Sequence, residues 1–169
     1  MDIRQIIKEI ILNIEGFYSN HPNDYGGETV YGIARKFNPN WKGWNIVDNN
    51  RNNLSKVKDI LLDLAIDFYY DKYFLPIKPV FDLKVKSGIF LFDWYINSGN
   101  YAIKELQKVL NVKVDGIIGK ETLTAINKFS DDDLLLELIL QRMSFYIRII
   151  LSDKSQLVFL LGWFNRIKK

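Results

Sequence analysis

Carboxylates gather in one short, irregular stretch of this 169-residue chain, residues 15–33. Glu15 ends a strongly apolar helical pattern, Asp24 follows nine residues later, and Glu28 and Thr29 lie in a Gly-Gly-Glu-Thr run. Two carboxyl groups that flank a glycosidic bond can cleave it, because one protonates the leaving oxygen and the other acts from the opposite face of the sugar. Glu15 suits the acid role, since the carboxyl end of a helix slightly disfavours an ionised carboxylate.

The elements that must position these acids are a helix and a hairpin. Isoleucines recur at helical spacing from residue 3 and predict an amphipathic helix that ends at Glu15 and Gly16. Helical periodicity is absent over the next seventeen residues, 17–33, where turn-forming residues surround Thr29 and Val30. This pattern predicts a small β-hairpin.

The rest of the chain reads as helical, so we predict a mainly α fold. Residues 37–44 are expected to form a loop anchored by two tryptophans, and residues 85–96 a buried central helix. Several residues are predicted to cap, end or turn the helices: Ser55 as a cap, Pro76 and Pro79 as stops near residue 74, Asn97 to Asn100 as a junction, Asp115, Gly116 and Gly119 as a turn, and Ser130 as a cap.

Composition limits the function. Apolar residues make up 48% of the chain, enough for a buried core in one domain, or in one domain with a small lobe. A net charge of +3 favours an anionic polymer such as a bacterial cell wall, but the cations are too scattered to indicate nucleic acid. With no cysteine and only His21 as histidine, the sequence predicts no disulfide, no metal site and no cofactor.

The amino terminus does not read as a signal peptide, and no stretch of the sequence reads as a membrane span. Asp2, Arg4, Lys8 and Glu9 interrupt the first apolar run, and no stretch approaches the ~18–20 uncharged apolar residues of a membrane span. We therefore expect no signal peptide and no stable membrane insertion.

The order Glu15, eight residues, Asp24, then Thr29 resembles that of phage-type lysozymes. In those enzymes the helix-end Glu is the acid, and the Asp and Thr lie on the following hairpin. Thr29 comes one residue earlier than in that pattern. From the residues alone, non-catalytic roles stay open for both acids. A Glu at a helix end is usually solvated, and Asp24 can form a hydrogen bond within its own turn.

The whole stretch EGFYSNHPNDYGGETVYGI closely resembles the signature of glycoside hydrolase family 108, N-acetylmuramidases that often carry the label of secretion activators. The family pattern is roughly EGGY, then N-x-P-x-D-x-GGET-x-YGI, and Phe17 replaces its second glycine. Further likenesses are AIDFYYDKYF, FDWYINSG, an LQ…DGxIG pattern and the closing RMSFYIRIILSDKSQLVFLLGWFNRI. The resemblance spans almost the whole chain.

That resemblance implies a lysozyme-like α-helical domain with a small hairpin beside the active site. It implies a catalytic region at residues 1–90 and a helical peptidoglycan-binding-like region at residues 91–169, packed into the same compact unit. Glu15 is then the catalytic acid, Asp24 the base or charge stabiliser, and Thr29 a residue that orients water. The resemblance implies these substrate-binding residues: Glu28, which is also the rival second carboxylate, Tyr31 and Asn97.

The implied reaction is hydrolysis of the β-1,4 bond between N-acetylmuramic acid and N-acetylglucosamine in peptidoglycan. The expected partner is the glycan strand and the expected state is a monomer. The reading fits a phage or prophage endolysin, made in the bacterial cytoplasm and acting on the wall after release, and a bacterial autolysin exported by other means stays open. Two alternatives remain: a lytic transglycosylase, and a non-catalytic wall-binding or secretion-related module.

Overall fold

The structure, a computed structural model, describes residues 2–14, 16–20 and 27–167. The chain forms two compact units, Met1–Leu75 and Pro76–Lys169. The predicted division at residue 90 differs from this boundary in position and stays a prediction about function, because the family's own regions need not follow compact units.

The first unit combines helices with a small sheet. Its elements are α1 (Ile3–Ile14), β1 (Tyr18–Ser19), β2 (Thr29–Val30), β3 (Ile33–Ala34), α2 (Gly43–Asn49), a 3₁₀ segment (Arg51–Val57), α3 (Lys58–Tyr69) and a π-helical turn (Tyr70–Phe74). The strands form one antiparallel sheet in the order β1-β2-β3. The predicted hairpin is therefore confirmed and extended by a third strand.

The apolar stripe of α1 is buried against α3. Ile7 and Ile11 point into this core, and Leu61 and Ala65 of α3 are fully buried there. Residues four apart lie on one face of a helix, so this pairing follows from the isoleucine spacing. It holds the end of α1, where the predicted acid follows, against a rigid element.

In its described part the second unit has helices as its only regular elements, and the first of them begins one residue before the unit does. Its elements are α4 (Leu75–Leu83), α5 (Val85–Ser98), α6 (Asn100–Val109), α7 (Lys120–Ile126), α8 (Asp131–Ser152), a 3₁₀ segment (Lys154–Phe159) and α9 (Leu160–Ile167). Helices α5, α6 and α8 pack on one another, with Trp94 fully buried on α5. The mainly α fold and the buried central helix are confirmed.

Two local predictions succeed. Ser130 caps α8, since its Oγ accepts a hydrogen bond from the Asp133 amide at 3.1 Å. Gly99 separates α5 from α6 with a φ of +54°, a conformation that favours glycine. Both signals act within a few residues, which is why the sequence alone reveals them.

Three local predictions are wrong. Pro76 and Pro79 lie within α4 and do not end a helix. Ile77 and Val80, which neighbour them in α4, are fully buried, and this packing offsets the cost of the two missing amides. Ser55 lies inside the 3₁₀ segment and donates to Asn53 Oδ1, so it caps no helix. The predicted loop 37–44 ends early, as α2 begins at residue 43.

No helix in the described ranges is both long enough and apolar enough to cross a membrane.

Candidate active-site region

The two predicted carboxylates of the reaction, Glu15 and Asp24, lie outside the described residues. Their assignments stay predictions. The structure does describe Glu28, Thr29 and Tyr31, which follow Asp24 in the chain and all belong to the first unit. These three residues show how the segment is held.

The hairpin between β2 and β3 turns on Tyr31 and Gly32. Both have positive φ, +48° and +77°, as a two-residue type I′ turn requires. Gly32 adopts this conformation freely, whereas a left-handed non-glycine residue costs about 1–2 kcal/mol. Tyr69 offsets part of that cost by donating from its hydroxyl to the Tyr31 carbonyl at 3.1 Å.

The Tyr31 side chain is only 2% exposed and packs on the Phe17 ring, with a centroid distance of 5.2 Å. Burial raises the pKa of its phenol. The hydroxyl finds no hydrogen-bond partner among the described residues. In this conformation the ring stabilises the turn, and its predicted place in the sugar groove stays a prediction.

Thr29 is half-buried in β2 and pairs across the sheet with Ser19 and Ala34. Its hydroxyl donates to the Gly27 carbonyl at 3.1 Å. Gly27 has a φ of +66°, which explains the need for glycine at this point of the motif. The hydroxyl is thus held beside the strand, and its role in orienting water stays a prediction.

Both carboxylate oxygens of Glu28 have partners. The Tyr18 hydroxyl donates to Oε1 at 2.9 Å, Arg51 Nη1 donates to the same oxygen at 3.1 Å, and Arg35 Nε lies 2.6 Å from Oε2. The side chain is 9% exposed. A nearly buried carboxylate with two guanidinium partners is a structural anchor with little capacity left for a ligand.

Asp48 completes this cluster. It accepts from both guanidinium nitrogens of Arg35, at 2.8 and 3.1 Å, and from Arg51 at 2.6 Å. These hydrogen bonds, that from Arg35 foremost, hold the pKa of Asp48 below its usual value. The Arg35 guanidinium also stacks on Trp44 at 4.4 Å. The cluster therefore fastens the sheet to α2 and to the 3₁₀ segment that follows it.

Asn97, the remaining predicted substrate-binding residue, belongs to the second unit, in the last turn of α5. Its side-chain amide donates to the Asp93 carbonyl at 2.6 Å, and the residue is exposed. Its predicted contact with a sugar amide stays a prediction. Asn97 also lines a cavity of the second unit.

The structure shows how the two parts of the LQ…DGxIG pattern contact each other. The buried Gln107 side chain donates to Asp115 Oδ1 at 2.9 Å and to the Ile117 carbonyl at 3.0 Å, and it accepts from the Gly116 amide at 2.7 Å. One carboxamide therefore ties the turn to α6. Sequence reasoning recognised this motif but missed Arg35, Asp48 and Arg51, for which no local signal exists.

No group of three or more metal-binding side chains is found in the described part of the chain.

Comparison with known proteins assigns the class. A family model described as Glycosyl hydrolase 108 matches residues 8–99, and a model described as Predicted Peptidoglycan domain matches residues 101–168. The first match covers more than half of the chain and includes the entire acid-bearing stretch. The chain belongs to the glycosyl hydrolase 108 family, a family of glycoside hydrolases, and carries a peptidoglycan-binding type of domain.

A solved structure supports this assignment. The structure of Brucella abortus SagA is similar to 97% of this chain and 88% of its own, with 28% sequence identity and a TM-score of 0.70. The lysozyme-like architecture expected from the sequence is thereby confirmed. No curated protein matches the chain.

Proposed function

We propose that the protein is an N-acetylmuramidase that hydrolyses the β-1,4 bond between N-acetylmuramic acid and N-acetylglucosamine in peptidoglycan. The observation that carries the proposal is the family match over residues 8–99, which includes Glu15, the residue that follows the last residue of α1 in the sequence. The second match, over residues 101–168, supports peptidoglycan as the substrate.

In this mechanism Glu15 protonates the leaving oxygen. Asp24 supplies the second carboxylate, either as a base that activates water or as a group that stabilises developing positive charge. The contacts of Glu28 support this choice, because two arginines and Tyr18 already engage its oxygens. Glu28 is then a positioning residue, and Thr29 orients water beside the strand.

The turn at Tyr31 serves the same mechanism by fixing the path of the chain between β2 and β3. Catalytic groups must be held within a few tenths of an ångström of the productive geometry, so a hairpin fastened by buried contacts suits the task better than a free loop. The Glu28 cluster and the Tyr69 hydrogen bond provide that fastening.

Digestion of purified peptidoglycan followed by mass spectrometry tests the reaction. A muramidase releases fragments with a reducing N-acetylmuramic acid, formed by addition of one water to each broken bond. A lytic transglycosylase instead leaves a 1,6-anhydro sugar, which is one water lighter. Anhydro products would refute hydrolysis, and intact peptidoglycan would favour a non-catalytic wall-binding module.

We also propose that the protein is a phage or prophage endolysin that acts once the membrane barrier is breached. Expression inside a bacterium whose wall the purified protein digests should leave cells intact until the membrane is permeabilised. Lysis that starts without permeabilisation would contradict this proposal and leave the muramidase assignment standing.

A further inference from the structure

A cavity of about 650 Å³ opens in the second unit, lined by residues from the end of α5, from α6, from α8 and from the carboxyl-terminal segment including α9. This volume lies in the range of small-molecule binding sites, roughly 300–1,000 Å³. Five aromatic rings line it: Tyr101, Phe145, Tyr146, Phe159 and Trp163.

The aromatic wall is partly exposed and partly anchored. Tyr101 is 63% exposed and its ring lies 6.1 Å from that of Phe145. Tyr146 stacks on Trp163 at 4.8 Å. Exposed aromatic rings grouped at a concave surface are typical of a binding site, because they offer large apolar faces at low entropic cost.

A buried ion pair holds the stacked rings of Tyr146 and Trp163 in place. Arg142 is fully buried, donates from Nε to the Tyr146 hydroxyl at 2.7 Å, and lies 2.7 Å from Asp93 Oδ2. This contact orients the Tyr146 ring and hence the Trp163 ring stacked on it. The site is therefore preformed, so a ligand need not order these two rings on binding.

Arg166 supplies the specific chemistry. It lines the same cavity, and its Nη1 is buried without a hydrogen-bond partner in residues 2–14, 16–20 and 27–167. A buried donor left unpaired is costly, and most such groups in proteins find an acceptor. A ligand carboxylate would provide one through a charge-assisted hydrogen bond, which is among the stronger kinds.

A second cavity of about 470 Å³ adjoins the first and shares Tyr101, Phe145 and Ile149 with it. Its charged lining consists of Lys104, Glu105, Lys108 and Arg148. Glu105 is already engaged by both Lys108 and Arg148 at 2.6 Å. Arg166, Lys104, Lys108 and Arg148 are the four cations along the two cavities. With Glu105 as the one carboxylate, the formal charge of their lining is +3.

We propose that the two cavities form one groove that binds the carboxylate-bearing stem peptide of peptidoglycan. The inference rests on the proposed function only in taking peptidoglycan as the substrate. In the intact polymer the N-acetylated sugars are neutral and the lactyl group is linked as an amide, so the anionic groups lie on the peptides. A cationic, aromatic groove matches the peptides better than it matches the glycan, and Asn97 on its lining can bond a peptide amide.

Calorimetric titration of the Glu15→Gln variant tests this proposal without hydrolysis of the probe. The probes are a disaccharide-tetrapeptide, the same muropeptide with its carboxylates amidated, and N,N′-diacetylchitobiose. We expect the free-carboxylate probe to bind about tenfold more tightly than the amidated one, and chitobiose to bind weakest. Added salt should weaken only the first.

Substitutions in the same background locate the contact. Arg166→Gln should weaken binding of the free-carboxylate probe about tenfold and Arg166→Lys should weaken it less, since Lys keeps the charge but loses the planar fork. Tyr101→Ala should weaken it about threefold to tenfold, and the exposure of Tyr101 means that this variant keeps its core. Lys86→Gln is the matched loss of one charge, because exposed Lys86 pairs with Asp132 outside the groove.

Equal affinity for the free and amidated muropeptides would overturn the proposal, and so would tighter binding of chitobiose, which would make the groove a glycan site. Normal binding by a folded Arg166→Gln variant, or an equal loss in Lys86→Gln, would also overturn it. The proposed function fails separately: a parent protein that binds the free-carboxylate muropeptide as expected but releases no fragments from peptidoglycan would retain the groove and lose the muramidase assignment.

Discussion

Two glutamates in different units of the molecule have closely similar surroundings, although only Glu28 belongs to a motif that resembles an active site. The Glu28 side chain is 9% exposed and pairs with Arg35 and Arg51, while that of Glu105 is 3% exposed and pairs with Lys108 and Arg148. Each also accepts from a neutral donor, Tyr18 in one case and Gln141 in the other.

The difference between them lies in what they fasten. Glu28, four residues after Asp24 in the sequence, links the small sheet to the 3₁₀ segment that contains Arg51. Glu105 links α6 to α8. The comparison teaches that membership of a motif does not make a carboxylate reactive. A carboxylate whose oxygens are already engaged by cations positions its surroundings, whichever motif contains it.

The largest expected effect separates Asp24 from Glu28. Asp24→Asn should lower kcat about 10²–10⁴-fold with little change in Tm, because it removes a reacting group. Glu28→Gln should instead lower the free energy of unfolding by about 2 kcal/mol, since its charged hydrogen bonds are lost, and reduce kcat far less. Steady-state digestion of peptidoglycan and thermal denaturation measure the two effects.

The opposite pattern would reassign the second carboxylate. If Glu28→Gln abolishes activity at an unchanged Tm while Asp24→Asn stays active, Glu28 is the catalytic group and the comparison with Glu105 breaks down.

The main expected effect of Glu105→Gln is on stability, although Glu105 also lines the proposed groove. It should lower the free energy of unfolding at neutral pH by about 2 kcal/mol, because Arg148 and Lys108 lose a nearly buried partner. Burial opposes ionisation of Glu105, yet hydrogen bonds from Lys108, Gln141 and Arg148 together hold its pKa below the usual 4.5. A carboxyl group with a lowered pKa stabilises the fold above its unfolded pKa and loses that effect as pH falls.

The destabilisation caused by Glu105→Gln should therefore be complete at pH 7 and shrink below about pH 4, as denaturant titrations at several pH values would show. A destabilisation that is the same at pH 7 and pH 3 would mean that the charge of Glu105 contributes nothing.

These two glutamates also show how far sequence reasoning reaches. The helix cap at Ser130, the break at Gly99 and the isoleucine face of α1 depend on residues within one or two turns, so the sequence predicts them. The partners of Glu28 lie up to 23 residues away along the chain, and Glu105 meets Arg148 at a separation of 43. Such contacts exist only once the helices have packed, so no local sequence pattern predicts them.

A pair of glycines tests whether the turn held by Gln107 is as rigid as its hydrogen bonds indicate. Gly116 has a φ of +79°, and an added Cβ would overlap the Asn100 carboxamide, whereas Gly119 has a φ of −101° and open space. Gly116→Ala should cost about 2 kcal/mol of stability, from strain and displacement of Asn100. Gly119→Ala should change it little, and equal losses in thermal denaturation would refute the explanation.

The smallest effect concerns Tyr31, whose buried hydroxyl has no hydrogen-bond partner among the described residues. Tyr31→Phe should alter the free energy of unfolding by less than about 1 kcal/mol and leave kcat/KM for peptidoglycan unchanged, because the packing on Phe17 is kept. A clear fall in kcat/KM at an unchanged Tm would show that the phenol contacts substrate, as the family resemblance implies.

The central claim is that Glu15 is the proton donor in glycoside hydrolysis. The direct test compares the initial rate of peptidoglycan digestion by the parent, by Glu15→Gln and by Glu9→Gln, which makes the same change at an exposed position of α1 bonded only to Gln5 in the described structure. We predict a loss of about 10²–10⁴-fold for Glu15→Gln at an unchanged Tm, and parent-like rates for Glu9→Gln. A folded Glu15→Gln variant that digests peptidoglycan at the parent rate would contradict the account.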